Sequence, residues 1–219
     1  FYGNIEDYCI MGLLPSYLER SHSSLVYMVR VLIEKSKHPL SNFYLYNTDE
    51  LFDNLRNTEA SNQKTILFGV SYALLDFAEK YAIDFRNTIV IETGGMKGRR
   101  EEMIREEVHA LLQKSFNTKD IHAEYGMTEL LSQAYSNGKG IYSCPPWMKV
   151  LVRDINDPFQ ISKKGKGVLN VIDLANIHSC CFIATDDVGE VFEDGSFLVN
   201  GRLDNSELRG CSLMYENLG

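Results

Sequence analysis

Hydrophobic positions change their spacing partway along this chain. In the first half, short apolar runs alternate with stretches of helical period. CIMGLLP (9–15) reads as a buried strand, and HSSLVYMVRVLIEKSK (22–37) places Leu25, Met28, Val29, Leu32 and Ile33 on one helix face behind serine caps. FYLYN (43–47) reads as a strand, and NTDELFDNLRN (47–57) as a short helix in which Asn47 and Glu50 have capping-box spacing. TILFGV (65–70), YALLDFAEKY (72–81), NTIVIET (87–93) and RREEMIREEVHALLQKSF (99–116) continue the strand–helix rhythm. Such alternation predicts an α/β fold, a mostly parallel sheet with helices on its faces.

Beyond Glu129 the period shortens toward that of strands. MKVLVRDI (148–155), GVLNVIDL (167–174), CCFIATDDVGEV (180–191) and GSFLVNGR (195–202) are short β-rich segments. Glycine-containing stretches such as KKGKG and EDG punctuate them as turns. The expected architecture is therefore an α/β layer followed by a β-rich, barrel-like or hairpin portion. No internal repeat or low-complexity segment interrupts it.

Composition narrows the functional classes. The 219 residues are 44% hydrophobic, enough for one large domain or a domain with a small appendage. A net charge of −8 argues against nucleic acid or an anionic membrane as the main partner. No apolar run reaches the roughly 18 residues of a membrane span, and no signal-peptide pattern opens the chain. Five cysteines (Cys9, Cys144, Cys180, Cys181, Cys211) without framework spacing point to reduced thiols and a cytoplasmic setting. Cys180 and Cys181 fall in an apolar run and are expected to be buried, while Cys9 and Cys144 read as structural. The opening FYGNIEDY, without an initiator methionine, suggests a piece of a longer protein.

Four stretches offer chemistry. AEYGMTEL (123–130) combines an aromatic ring at Tyr125, close backbone approach at Gly126, a hydroxyl at Thr128 and a hard oxygen at Glu129. IETGGMKGRREE (91–102) places Gly94 and Gly95 between a strand and a helix start, where backbone amides can meet phosphate or a ring edge. It lacks the Lys-Ser or Lys-Thr of a P-loop. In the third stretch, TDDVGEVFEDGSFLVNGRLDNSELRG (185–210), Asp187 and Arg202 bracket a hairpin-like segment. A bidentate carboxylate suits vicinal ribose hydroxyls, and arginine adds a donor. The fourth, FGVSYA (68–73), approaches a hydrolase nucleophile elbow at Ser71. It has Ala73 in place of the second glycine, and only Asp154 and His178 stand downstream as acid and histidine. Each stretch also has an ordinary reading as a loop, a tight turn, a charged hairpin or a strand–helix junction.

The order of the first three stretches is informative. A double glycine after a strand, then Y-G-x-T-E, then T-D-D-x-G and G-R-x-D, resembles the adenylate-forming superfamily of acyl- and aryl-CoA ligases. More narrowly, FYGNIEDYCIMGLLPSYLERSHSSLVYMV, IETGGMKGRREE and GRLDNSELRGCSLM are similar to the acyl-protein synthetase (LuxE) family. That family includes the synthetase subunit of the fatty-acid reductase of bacterial luminescence and shares features with phenylacetate-CoA ligases. The resemblance implies an adenylation domain whose α/β part is residues 1–130 and whose β-rich part is 131–200, with a hinge and tail over 201–219. It implies ATP or AMP and Mg²⁺ as cofactors and a fatty or related carboxylic acid as substrate, with a reductase as a possible partner protein. Tyr125 would stack on adenine, with Gly94 and Gly95 on the other side of the base. Thr128 would touch the α-phosphate, Glu129 would hold the metal, and Asp187 would take the ribose hydroxyls with Arg202 beside it, near a hinge at Asp204. Cys211 would be the acyl-accepting thiol. The superfamily's Ser/Thr/Gly-rich phosphate loop is expected upstream of Phe1, and its mobile small domain with the catalytic lysine does not appear in these residues. A phenylacetate-type CoA ligase, a nucleotide-binding module without turnover and a serine hydrolase at Ser71 remain alternatives.

Overall fold

The first five-residue strand, β1 (Cys9–Leu13), is buried along its whole length, as a strand covered on both faces must be. The structure is a computed structural model that describes residues 1–15, 23–94, 100 and 103–203. The chain divides into two compact units, Phe1–His122 and the residues from Ala123 onward.

In the first unit β1 is followed by α1 (Ser24–Ser36), β2 (Asn42–Phe43), α2 (Thr48–Ala60), β3 (Thr65–Val70), α3 (Ser71–Lys80), β4 (Thr88–Thr93) and α4 (Arg105–Ser115). The strands lie in the order β2-β1-β3-β4, and every pairing is parallel. Helices between parallel neighbours are what the alternating pattern requires. Ser23 caps α1 by accepting from the Val26 amide at 3.3 Å. Leu51 and Leu55 bury one face of α2, and β3 supplies Leu67 and Val70 to the same core.

Three local expectations are corrected. FYLYN contributes only Phe43 to a strand, because Tyr44 turns its ring into the core after its amide donates to the Gly12 carbonyl at 2.9 Å. Asn47 occupies the N-cap position of α2, but its amide binds the Glu50 carboxylate instead of a backbone group. The helix expected from Arg99 begins at Arg105, where the Glu107 carboxylate reaches back to the Ile104 amide at 3.3 Å. Arg100 lies before that helix and ion-pairs with Asp76 and Glu79 of α3.

The second unit is β-rich. Residues Ala123–Tyr125 of β5 (His122–Tyr125) pair antiparallel with β6 (Ala134–Ser136). β7 (Ile141–Tyr142), β8 (Met148–Arg153), β9 (Ile161–Ser162), β10 (Gly165–Asp173), β11 (Phe182–Val191) and β12 (Phe197–Arg202) form an antiparallel sheet in the order β7-β12-β11-β10-β8-β9. Along β8, Met148, Val150 and Val152 point into a core shared with Leu169, Val171 and Phe197. This is the period-two burial anticipated for MKVLVRDI.

One glycine in this sheet has a clear physical cause. A bulge shifts the β11–β12 register between Val188 and Gly189, and a Cβ on Gly189 would stand 2.1 Å from the Leu198 carbonyl oxygen. The third position of D-x-G is thus set by close backbone approach. Gly189→Ala is expected to push the two strands apart and cost about 1–3 kcal/mol of stability. Equilibrium denaturation measures this, and an unchanged midpoint would contradict the close approach.

Candidate functional site

The site builds from the pairing of β11 with β12. Asp187 and Arg202 are directly opposite each other across the two strands, so their side chains share one face. The Arg202 Nε lies 3.2 Å from Asp187 Oδ1. From β5, the Tyr125 hydroxyl donates to Asp187 Oδ2 at 2.7 Å. Thr185 completes the support: its hydroxyl accepts from the Asp187 amide at 3.0 Å and donates to the Leu169 carbonyl at 2.8 Å. The Tyr125 ring is fixed edge-on against Phe197, with centroids 5.2 Å apart. Three residues 62 and 15 positions apart in sequence therefore meet at one carboxylate.

Burial dominates the electrostatics of this cluster. It pushes the Asp187 carboxyl above its ordinary value, while the Tyr125 hydrogen bond and the Arg202 charge pull against it and Asp186 adds to the rise. The Tyr125 phenol is also raised, first by burial and then by the adjacent carboxylate. Tyr125 thus stays a donor across the physiological range. Asp187 Oδ2 accepts from Tyr125 and Oδ1 faces the Arg202 guanidinium, and the remaining lone pairs leave capacity for further donors such as vicinal hydroxyls.

Thr128 and Glu129 follow β5 on an exposed loop. They line a cavity of about 630 Å³ together with Asn176, Cys180, Phe182 and Ile183, among others. Gly126 precedes them, and a Cβ there would stand 2.3 Å from the movable Glu124 carboxylate. Among the described residues no group of three or more His, Cys, Asp or Glu could hold a metal ion. Glu129 is instead a single hard oxygen donor open to a cavity. That donor set fits Mg²⁺ completing its shell with phosphate and water, and does not fit an all-protein cage.

In the first unit Gly94 directly follows β4 with φ of 75°, a backbone conformation that favours glycine. Beside it the Ser71 hydroxyl donates to Glu92 and lies 3.3 Å from the Gly94 carbonyl. His109 Nε2 stands 3.6 Å from the other Glu92 oxygen, outside hydrogen-bond reach. The order is serine, carboxylate, histidine, so no imidazole sits against the hydroxyl as a general base. Ser71 is only 3% exposed, and it is not among the non-glycine residues with positive φ, Lys37, Asn62, Asn117 and Lys139. A strained, exposed nucleophile elbow is therefore absent from FGVSYA. Asp154 is occupied by the amides of Asn156 and Asp157.

Gly95, Asp204 and Cys211 lie outside the described residues. Of the cysteines that are described, all are free. Burial raises the Cys9 and Cys144 thiols, each to about 11. The expectation that Cys180 is buried is corrected: it is exposed on the cavity wall, and Cys181 is partly exposed. Only FIAT of the run CCFIAT belongs to β11, and its first residue, Phe182, is 69% exposed. Sequence reasoning also passed over Asp173, Asn176 and Ser132, polar residues that hold the Thr128–Glu129 loop from below.

No protein-family model and no curated protein matches the chain. Solved structures do match its fold. ATP-bound MatB from Rhodopseudomonas palustris superposes over 91% of this chain and 41% of its own, with a TM-score of 0.64 at 15% identity. A malonyl-CoA ligase complexed with methylmalonyl-CoA and AMP covers 91% of this chain and 45% of its own, with a TM-score of 0.55 at 16% identity. O-succinylbenzoate coenzyme A synthetase (MenE) from Bacillus subtilis, in complex with ATP and magnesium, covers 86% and 44% with a TM-score of 0.51 at 14% identity. The chain spans less than half the length of each of these three. The likeness is one of fold: a mixed α/β part with a parallel sheet, and a separate antiparallel sheet, as in parts of these solved structures. No helix among the described residues is long and apolar enough to cross a membrane.

Tyr125→Phe keeps the ring and removes the donor to Asp187, and is expected to cost about 1.5–3 kcal/mol. A carboxyl whose folded pKa exceeds its unfolded value loses stability as pH rises through the folded pKa, and removing the hydroxyl lifts that pKa further. The deficit should therefore be greatest near about pH 7 and shrink toward about pH 4. Denaturation of both proteins across that range checks the sign.

Proposed function

We propose that this chain carries the nucleotide side of an ATP-dependent enzyme that activates a carboxylic acid as its acyl-adenylate and passes the acyl group to a thiol. The observation that carries the reading is the Tyr125–Asp187–Arg202 cluster, standing in a fold shared with ligases solved with ATP or AMP. Asp187 takes the ribose hydroxyls with its remaining lone pairs, and Arg202 holds the carboxylate charged and oriented. Tyr125 presents its ring to the base, and Gly126 lets backbone approach the nucleotide.

The chemistry follows from the weakness of a carboxylate as an electrophile. Its oxygen attacks the α-phosphorus of ATP, the bond to the β-phosphate breaks, and pyrophosphate leaves with the electron pair. Thr128 offers its hydroxyl to the α-phosphate as negative charge gathers there. Glu129 holds Mg²⁺, which when bound offsets the repulsion between the incoming carboxylate and the phosphates. A thiolate then attacks the acyl carbon of the mixed anhydride, giving a thioester and AMP.

Two acceptors are consistent with this scheme. The resemblance of RGCSLM and its neighbours favours an acyl-protein synthetase with Cys211 as acceptor, a fatty acid as substrate and a reductase as possible partner. The solved structures, being CoA ligases among others, favour coenzyme A. The same assay separates them. Cys211→Ser in the full-length protein should still make acyl-adenylate but form no hydroxylamine-sensitive acyl-protein. Thioester formation only with added coenzyme A, in the unaltered enzyme, assigns the ligase reading instead.

Glu129→Gln keeps the size of the side chain and removes its charge. Carboxylate-dependent ATP–pyrophosphate exchange by the full-length enzyme should fall by about 10²–10³. Exchange near the wild-type rate would remove Glu129 from the site, and no exchange by the wild-type enzyme with any acid tried would overturn the adenylation reading.

A further inference from the structure

Below the loop that carries Thr128 and Glu129, in the same unit, lies a carboxylate that the proposed chemistry does not use. Asp173, at the end of β10, is wholly buried. One of its oxygens accepts from the amides of Leu131 at 3.0 Å and Ser132 at 2.9 Å. The other accepts from the Ser132 hydroxyl at 2.7 Å and the Ala175 amide at 3.1 Å. The Ala175 bond caps a short 3-10 turn, Leu174–Asn176. From that turn the Asn176 side-chain amide donates to the Glu129 carbonyl at 2.7 Å. Ser132 is held from its other side, since its hydroxyl accepts from the Trp147 indole at 2.9 Å.

A buried charge of this kind is tolerated only when it is fully hydrogen-bonded. Burial alone would raise the Asp173 carboxyl. The bonds from Ser132, Ala175 and Leu131 outweigh it and leave the group below its ordinary value. Asp173 therefore remains an anion, and an anion with four donors fixes the segment that supplies them. Three of those donors belong to Leu131 and Ser132, just after Glu129, and Asn176 grips the Glu129 carbonyl itself. The segment is mixed in its exposure: Glu129 and Leu131 face outward, while Leu130 packs in the core and Ser132 is buried against Asp173.

We infer that Asp173 and Asn176 are positioning residues for the metal–phosphate end of the site: they lock the backbone from Glu129 to Ser132 and so fix the aim of the Glu129 carboxylate into its cavity. This rests on the adenylation reading, and it assigns to the acid at the end of β10 and the asparagine three residues later a role that neither touches substrate to perform. Groups that orient a metal ligand from behind typically change metal affinity by about 10–100-fold when removed.

The test uses the full-length protein with Mn²⁺ as a paramagnetic substitute for Mg²⁺. Mn²⁺ binding to the protein–ATP complex is followed by electron paramagnetic resonance, beside the Mg²⁺ dependence of ATP–pyrophosphate exchange. Asn176→Ala is expected to raise the Mn²⁺ dissociation constant and the half-saturating Mg²⁺ concentration by about tenfold or more. At saturating metal, its KM for ATP should match the wild type. Asp173→Asn, which turns an NH2 donor toward groups that themselves donate, should act in the same direction with an added loss of melting temperature. Should that variant fail to fold, Asn176→Ala decides alone. A folded Asn176→Ala protein with wild-type metal affinity overturns the inference, as does a variant whose KM for ATP rises in step with its metal requirement. A wild-type protein that binds no Mn²⁺ in the presence of ATP instead overturns the adenylation reading on which this one stands.

Discussion

The second unit is organised around one desolvated carboxylate. Asp187 sits where burial penalises its charge, and it is kept there by a phenol from β5 and a guanidinium from β12. Removing either donor would leave a buried charge with too few partners, a cost larger than the worth of an average hydrogen bond. The surrounding details follow from that constraint. Thr185 must hold the Asp187 amide, Gly189 must let β11 approach β12 closely enough to keep Arg202 opposite, and Phe197 must fix the tyrosine ring. Such an arrangement is costly for stability alone. Strained electrostatics of this kind cluster where a ligand is to be met, because the ligand's own donors complete the set.

Much of the fold was legible in the residues. The parallel strands of the first unit are nearly continuous apolar runs, and the helices between them carry their faces at helical spacing, so type and order follow from period alone. The four β-rich segments after Glu129 became strands for the same reason. What failed was local and had local causes. FYLYN has the composition of a strand, yet Tyr44 gains more by entering the core than by continuing an edge. Arg100 finds two carboxylates on α3, and that tertiary partnership is invisible to any window of sequence. The apolar look of CCFIAT said nothing about which face of the sheet would be covered, so Cys180 was expected inside and lies outside.

The candidate site was legible in a different way. The residues of Y-G-x-T-E and D-x-G with G-R carried recognisable chemistry, and the structure brings Tyr125, Asp187 and Arg202 together from three strands. Asp173 and Asn176 carried no such signal. VIDLAN reads as a strand ending in a turn, and an aspartate there is an ordinary turn residue. Its importance comes from what is brought above it, the amides of Leu131 and Ser132, which are 42 and 41 positions earlier. Supporting residues are generally less visible than the groups they support, because their role is set by tertiary position and not by the chemistry of their own side chain.

Ser71 shows the reverse case, a motif with a signal and a different physical role. FGVSYA has the strand–serine–helix context of a nucleophile, and the context is real: β3 runs directly into α3 at Ser71. The hydroxyl is nevertheless committed to Glu92, one strand away, and lies near the Gly94 carbonyl at the turn that follows. Parallel register explains the geometry, since Gly69 and Val70 stand beside Glu92 and Thr93, and the next residue on each chain must diverge. A short donor at the start of α3 satisfies the carboxylate exposed by that divergence, and an acid near a helix N-terminus is favoured by the helix dipole. The serine is thus required by the end of the sheet itself. Nucleophilic chemistry would need it free of that carboxylate and open to substrate, and it is neither.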